Sequence, residues 1–140
     1  MIKFKDILKE EKILVPRNLE TRDEDYKRVV YQKIQDYIKQ GSKGDLDLSQ
    51  APITKLPDNL IKVGGYLDLW GSKIESLDNL QTVEKSLSLT SSQIQSLGNL
   101  QTVGGYLNLE ATPLSKKYSK EEISQMLKDK GIEVKGEIYI

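Results

Sequence analysis

Leucine alternates with polar or aromatic residues in four short stretches: Asp45-Leu46-Asp47-Leu48, Tyr66-Leu67-Asp68-Leu69, Ser86-Leu87-Ser88-Leu89 and Tyr106-Leu107-Asn108-Leu109. A period of two is the signature of a strand with one face buried. The first leucines lie 21, 20 and 20 residues apart, and the spacing between them is patterned too. Seven residues after each comes Ile53, Ile74, Ile94 or Leu114. Ten after come Leu56, Leu77 and Leu97, followed by Leu60/Val63, Leu80/Val83 and Leu100/Val103. Pro57 accounts for the extra residue of the first unit. A turn tolerates such slack, whereas a strand does not, because a one-residue slip moves every side chain to the other face.

Twenty residues cannot bury a core of their own, so the units must stack as coils, each covering its neighbours. Ala51, Ser72, Ser92 and Thr112, five residues after each first leucine, mark the turn off the strand. A small or hydroxyl side chain fits inside there and is placed to hydrogen-bond the neighbouring coil's backbone.

A stack needs covered ends. Thr21-Arg22-Asp23-Glu24 has capping-box spacing and predicts a helix start. The stripe Tyr26, Val29/Val30, Ile34, Tyr37/Ile38 follows, and Gly41 stops it. A shorter helix around Phe4, Ile7 and Leu8 precedes it, separated by Pro16. Ser119-Lys120-Glu121-Glu122 is a second capping box, opening a helix through Ile123, Met126 and Leu127 that ends at Gly131. Gly136-Glu137-Ile138-Tyr139-Ile140 aligns with Gly65-Tyr66-Leu67-Asp68-Leu69 and predicts a fifth parallel strand, joined by right-handed crossovers.

The pattern Leu-x-Leu-x-x-(Ala/Ser/Thr)-x-(Ile/Leu) over residues 44–114 resembles the conserved half of a leucine-rich repeat. Ala51, Ser72, Ser92 and Thr112 stand where that family has Asn or Cys, which argues against its buried amide ladder. Leu56-Pro57-Asp58-Asn59-Leu60, followed by Val63-Gly64-Gly65-Tyr66-Leu67, is similar to short bacterial and bacteriophage repeat proteins. The resemblance implies an α/β solenoid, a right-handed leucine-rich-repeat stack of about five parallel strands. Residues 1–43 form its N-terminal helical cap, 44–114 the repeats, and 115–140 a C-terminal helix-strand cap, in one domain. The narrower likeness implies a small phage accessory protein acting on a host factor.

Composition narrows the chemistry. The 140 residues contain neither cysteine nor histidine, which removes disulfides, thiolate nucleophiles, imidazole bases and Cys/His zinc sites. Twenty-one basic residues balance twenty-one acidic ones, so no net charge draws the chain to nucleic acid or an anionic membrane. The balance is uneven. Residues 1–43 carry 11 basic and 8 acidic side chains, 44–112 carry 4 and 8, and 113–140 carry 6 and 5. Lys3, Lys5, Lys9 and Lys12 alternate with Asp6, Glu10 and Glu11, the pattern of a solvated face. No apolar run spans a bilayer and Met1 opens no signal-peptide core, so a cytoplasmic protein is the expectation.

No catalytic carboxylate pair with a supporting shell emerges, and no enzyme or cofactor is expected. Gly64-Gly65 and Gly104-Gly105 run into strands without a following Gly-Lys-Ser/Thr, so they read as turn glycines and not phosphate cradles. Two carboxylates at Asp47 and Asp68 supply too few oxygens for calcium.

Residues flanking the inward leucines must point out of the sheet, onto the concave face of the stack. That face is expected to show Asp45, Asp47 and Ser49; Tyr66, Asp68 and Trp70; Ser86, Ser88 and Thr90; Tyr106, Asn108 and Glu110; Glu137 and Tyr139. It holds five carboxylates and no basic residue, with the chain's one tryptophan and three of its seven tyrosines. Such aromatics serve either as ordinary cross-strand packing or as anchors of a protein-binding surface. The function expected is protein binding through Tyr66, Trp70, Tyr106 and Tyr139, with Asp47, Asp68, Asn108 and Glu110 selecting a basic partner. The alternative is a structural, self-assembling protein, a homodimer through the edge strand Glu137–Ile140.

Overall fold

In a computed structural model of the chain, residues 19–140 are described. The helix expected around Phe4 lies outside them. Helix α1 (Leu19–Lys39) is already formed at Leu19, so Thr21–Glu24 lies within it and is not its start. Its C-terminus is where Gly41 placed it: Gly41 takes φ +94°, and the Ser42 N–H donates to the Tyr37 carbonyl at 3.1 Å.

The repeats then coil between two parallel sheets. The Leu-x-Leu segments supply β1 (Leu46–Asp47), β3 (Leu67–Asp68), β5 (Leu87–Ser88) and β7 (Leu107–Asn108). The return paths supply β2 (Lys62–Val63), β4 (Thr82–Val83) and β6 (Thr102–Val103). After β7 come the short helix α2 (Pro113–Lys117), helix α3 (Lys120–Asp129), β8 (Glu133–Val134) and β9 (Ile138–Tyr139). The five-stranded sheet has the order β1-β3-β5-β7-β9, and the four-stranded sheet the order β2-β4-β6-β8. The chain is thus an α/β solenoid, with the fifth strand in the expected register, Ile138 beside Leu107.

Three features differ from the sequence expectation. Val63, Val83 and Val103 of the aliphatic return path, where the sequence pattern predicts no strand, pair in register as a second sheet. The last crossover keeps that pairing, because β8 follows its helix and joins β6. The Ser92 and Thr112 hydroxyls at the strand-exit turn bond their own coil and not the neighbouring one: Ser92 Oγ donates to the Leu89 carbonyl and Thr112 Oγ1 to the Leu109 carbonyl, both at 2.6 Å. Ser72 Oγ is buried without a hydrogen-bond partner among the described residues. An amide ladder does exist, at a different, exposed corner. The Asn99 amide donates to Asn79 Oδ1 at 3.1 Å, Asn79 donates to the Asp58 carbonyl, and Asn59 exchanges two bonds with Gln35 of α1.

The core is a column of aliphatics. Leu67, Leu69, Ile74, Leu77, Leu80 and Val83 of one coil are fully buried, as are Leu87, Leu89 and Ile94 of the next. Val30, Ile34 and Tyr37 bring α1 down on the first coil. The Tyr37 hydroxyl lies 2.9 Å from the Ser42 carbonyl and 2.8 Å from that of Gly44, and it accepts from the Gly64 N–H at 3.1 Å. At the other end the Ser119–Glu122 capping box is formed in both directions, and Ile123 and Leu127 are buried beside Leu97, Leu109 and Leu114.

The double glycines lie in the bend between the two sheets and serve spacing there. None of Gly64, Gly65, Gly104 and Gly105 is left-handed. A Cβ on Gly104 would meet the Glu84 carbonyl of the preceding coil at 1.9 Å, and one on Gly64 the Ser42 carbonyl at 2.7 Å. Left-handed backbone recurs instead just after each Leu-x-Leu segment, at Gln50, Gly71, Ser91 and Ala111.

Two outcomes test this packing by chemical denaturation. Leu87→Ala, in the central coil, is expected to cost about 2–5 kcal/mol. Gly104→Ala should exceed the roughly 1 kcal/mol of a typical substitution, because a whole coil must shift to admit one methyl group. A neutral Gly104→Ala would mean that the coils are not held at this spacing.

Candidate functional site

Strand register arranges the outward residues of the five-stranded sheet in three columns. The first runs Asp45, Tyr66, Ser86, Tyr106, Glu137. The second is Asp47, Asp68, Ser88, Asn108, Tyr139, and the third Ser49, Trp70, Thr90, Glu110. Neighbours in a column are about 4.8 Å apart.

Five of these residues also hold the strands in place. Asp45 Oδ1 accepts from the Tyr66 N–H at 2.8 Å, and Ser86 Oγ from the Tyr106 N–H at 3.0 Å. In the second column a side-chain oxygen accepts from the backbone two residues on. Asp47 Oδ1 takes the Ser49 N–H at 3.0 Å, Asp68 Oδ1 that of Trp70 at 2.9 Å, and Asn108 Oδ1 that of Glu110 at 2.9 Å. These Asx turns end the strands. Asn108 also donates to Glu110 Oε1 at 3.1 Å, which fixes that carboxylate.

The tyrosines pack on each other. The rings of Tyr66 and Tyr106 lie edge to face with centroids 6.1 Å apart, and those of Tyr106 and Tyr139 with centroids 5.7 Å apart. Tyr66 and Tyr106 stand on strands two apart, so their rings lean together across β5, and the Tyr106 hydroxyl donates to that of Tyr66 at 3.2 Å. Burial pushes the Tyr66 phenol well above its ordinary pKa.

Exposure sorts the expected site residues. Trp70 and Tyr139 are each 44% exposed and Glu110 is exposed, while Tyr66, Tyr106, Asp68 and Asn108 are half-buried. Trp70 makes no ring contact among the described residues. Two expectations need correction. Asp47 is only 8% exposed, so it does not present its charge to solvent. Ser88, at 6%, is likewise covered, its hydroxyl 3.2 Å from that of Thr90.

A basic residue also reaches this face. Lys33 of α1 donates to the Asp47 carbonyl at 2.5 Å, closing the outer edge of β1. Burial pulls its pKa down, and the Asp47 charge pulls it up. Its place among Val30, Ile34 and Tyr37 on the buried side of the helix was the available signal. Across the second sheet, Lys62 pairs with Glu84 at 2.7 Å, an exposed contact of little energetic weight.

The described residues contain no group of three or more carboxylates placed to hold a metal ion. No helix among them is long and apolar enough to cross a membrane. No protein-family model matches the chain, and neither a curated protein nor a solved structure matches it. What the coordinates define is a parallel α/β solenoid whose five-stranded sheet presents an acidic, aromatic face.

Burial raises the Asp68 carboxyl above the ordinary aspartate range, the Trp70 N–H bond opposes the rise, and the Asp47 charge adds to it. The folded chain therefore holds this proton to higher pH than the unfolded one. The stability contributed by neutral Asp68 is present below the ordinary aspartate pKa and is lost as pH rises through the raised folded value. Asp68→Asn keeps the acceptor that Trp70 needs, as Asn108 does for Glu110. The variant should be more stable than the parent to urea at about pH 7, with the advantage gone near pH 3. A difference independent of pH would contradict this assignment.

Proposed function

We propose that this chain is a non-enzymatic module of the leucine-rich-repeat class that binds a protein on the outer face of its five-stranded sheet. The exposed Trp70 carries the proposal. Its backbone is fixed by the Asp68 bond, so little order is lost when a partner covers the ring, and buried tryptophans dominate the energetics of interfaces. Tyr139 is a second anchor. Tyr66 and Tyr106 form a stiff platform and do not insert into the partner. Asp68, Asn108 and Glu110 supply a polar rim whose charge favours a basic surface and speeds encounter. Asp47, being covered, takes no direct part. A role as a phage accessory protein in a host cytoplasm belongs to the same proposal and rests on the likeness of the repeats alone.

A second reading rests on the edge of the sheet. Among the described residues β9 pairs only with β7, and Ile138 and Ile140 are half-buried. Pairing of two copies through Glu137–Ile140 would extend the sheet.

An interaction screen followed by affinity measurement separates the two. Trp70→Ala and Tyr139→Ala should each weaken the partner about tenfold or more, and Lys73→Ala should not. Unchanged affinity in both aromatic variants removes the face from the account. A dimer in sedimentation at micromolar concentration, lost on deleting Glu137–Ile140, would favour the edge.

A further inference from the structure

The middle strand of the face is a trough. β5 shows only Ser86, Ser88 and Thr90, whereas its neighbours show Tyr66, Asp68 and Trp70 on one side and Tyr106, Asn108 and Glu110 on the other. One end of the trough is roofed by the Tyr66–Tyr106 hydroxyl bond, which leaves Ser88 covered. The other end is open. There Thr90 forms the floor, with the exposed indole of Trp70 one strand away and the exposed carboxylate of Glu110 one strand away on the opposite side. By strand spacing, Trp70 and Glu110 stand about 10 Å apart at the backbone.

This notch is aromatic on one wall and anionic on both. Asp68 lies beside Trp70 in sequence and its Oδ1 holds the Trp70 N–H. Glu110 is held in one orientation by the Asn108 amide. Ionised carboxylates have about four lone-pair sites each, so both retain acceptor capacity beyond these bonds. None of the outward positions of β3, β5 and β7 carries a lysine or arginine, and Lys33 attends Asp47 on β1. Among the described residues neither Asp68 nor Glu110 forms a salt bridge.

We propose that the notch takes an arginine side chain of the protein partner, stacked on Trp70 above Thr90 with its N–H groups shared between Asp68 and Glu110. This rests on the docking face proposed above. The geometry selects arginine over lysine. A guanidinium is flat enough to lie along an indole, carries five donors in a fixed fork for carboxylates on two sides, and sheds water more readily than an ammonium. An ammonium is a point charge with no flat surface for the Trp70 wall.

The probes are the acetylated, amidated tripeptides Gly-Arg-Gly and Gly-Lys-Gly, titrated into the full chain. Trp70 is the chain's only tryptophan, so its emission reports the notch directly, and amide and indole NMR shifts map it. The arginine peptide should saturate, shifting the Trp70 indole and the Thr90 amide, and should bind at least about fivefold tighter than the lysine peptide. Asp68→Asn and Glu110→Gln, which keep the local backbone bonds, should each weaken it by about five- to tenfold without lowering the melting temperature. Absence of saturation, equal binding of both peptides, or indifference to both variants overturns the arginine assignment. If the peptide fails while Trp70→Ala still weakens the protein partner, the docking face stands and the notch alone is lost. If Trp70→Ala and Tyr139→Ala both spare the partner, the face itself falls. Sedimentation showing a dimer that Trp70→Ala dissociates would seat a second copy on the face and overturn a separate partner.

Discussion

Backbone pairing between successive coils is the constraint on which every other feature of this molecule depends. The first leucine of each coil donates its N–H to the next coil: Leu46 to Tyr66, Leu67 to Ser86, Leu87 to Tyr106 and Leu107 to Glu137, all at 2.8–3.0 Å. These bonds set a register in which leucine lies on leucine and outward residues fall into columns. A slip of one residue would turn the core outward and bury the face. The same bonds that build the interior therefore build the surface proposed to function. Glycines at the coil entry keep the carbonyl of one coil from meeting a side chain of the next.

The ends of the stack are finished by helices in two different ways. At the front, α1 supplies apolar cover through Val30 and Ile34 and polar closure through Lys33 and Tyr37, which occupy carbonyls of the first coil. At the back, α3 replaces part of a return path and buries Ile123 and Leu127, after which the chain resumes both sheets through β8 and β9. The face between them is left with conflicting demands. Asp68 ends a strand well but holds a charge where burial disfavours one, although asparagine meets the structural need at position 108. Such local conflicts are expected where a surface serves a partner as well as the fold.

The repeat was legible in the sequence because its cause is periodic: inward aliphatics must recur once per coil, and Leu46, Leu67, Leu87 and Leu107 do so visibly. The fifth strand was legible for the same reason, since Ile138 repeats the environment of Leu107. The second sheet was not, because two-residue strands such as Thr82–Val83 are too short to show alternation. Nor was the helix boundary near Thr21, where a capping-box spacing occurs inside a helix. On the candidate site, alternation correctly placed Trp70, Glu110 and Tyr139 outward. It could not foresee that Asp47 would be covered, since Lys33 arrives from an element distant in sequence. The leaning of Tyr66 onto Tyr106 across a serine is likewise a matter of side-chain size two strands apart.

Nuclear Overhauser contacts among the leucine methyl groups, recorded with the exchange of the Trp70 indole proton, test the stacked register most directly. The account predicts contacts between Leu67 and Leu87 and between Leu87 and Leu107, none between Leu67 and Leu107, and an indole proton in rapid exchange with water. Leucine contacts out of this order, or a Trp70 indole protected from solvent, would contradict both the stack and the face it presents.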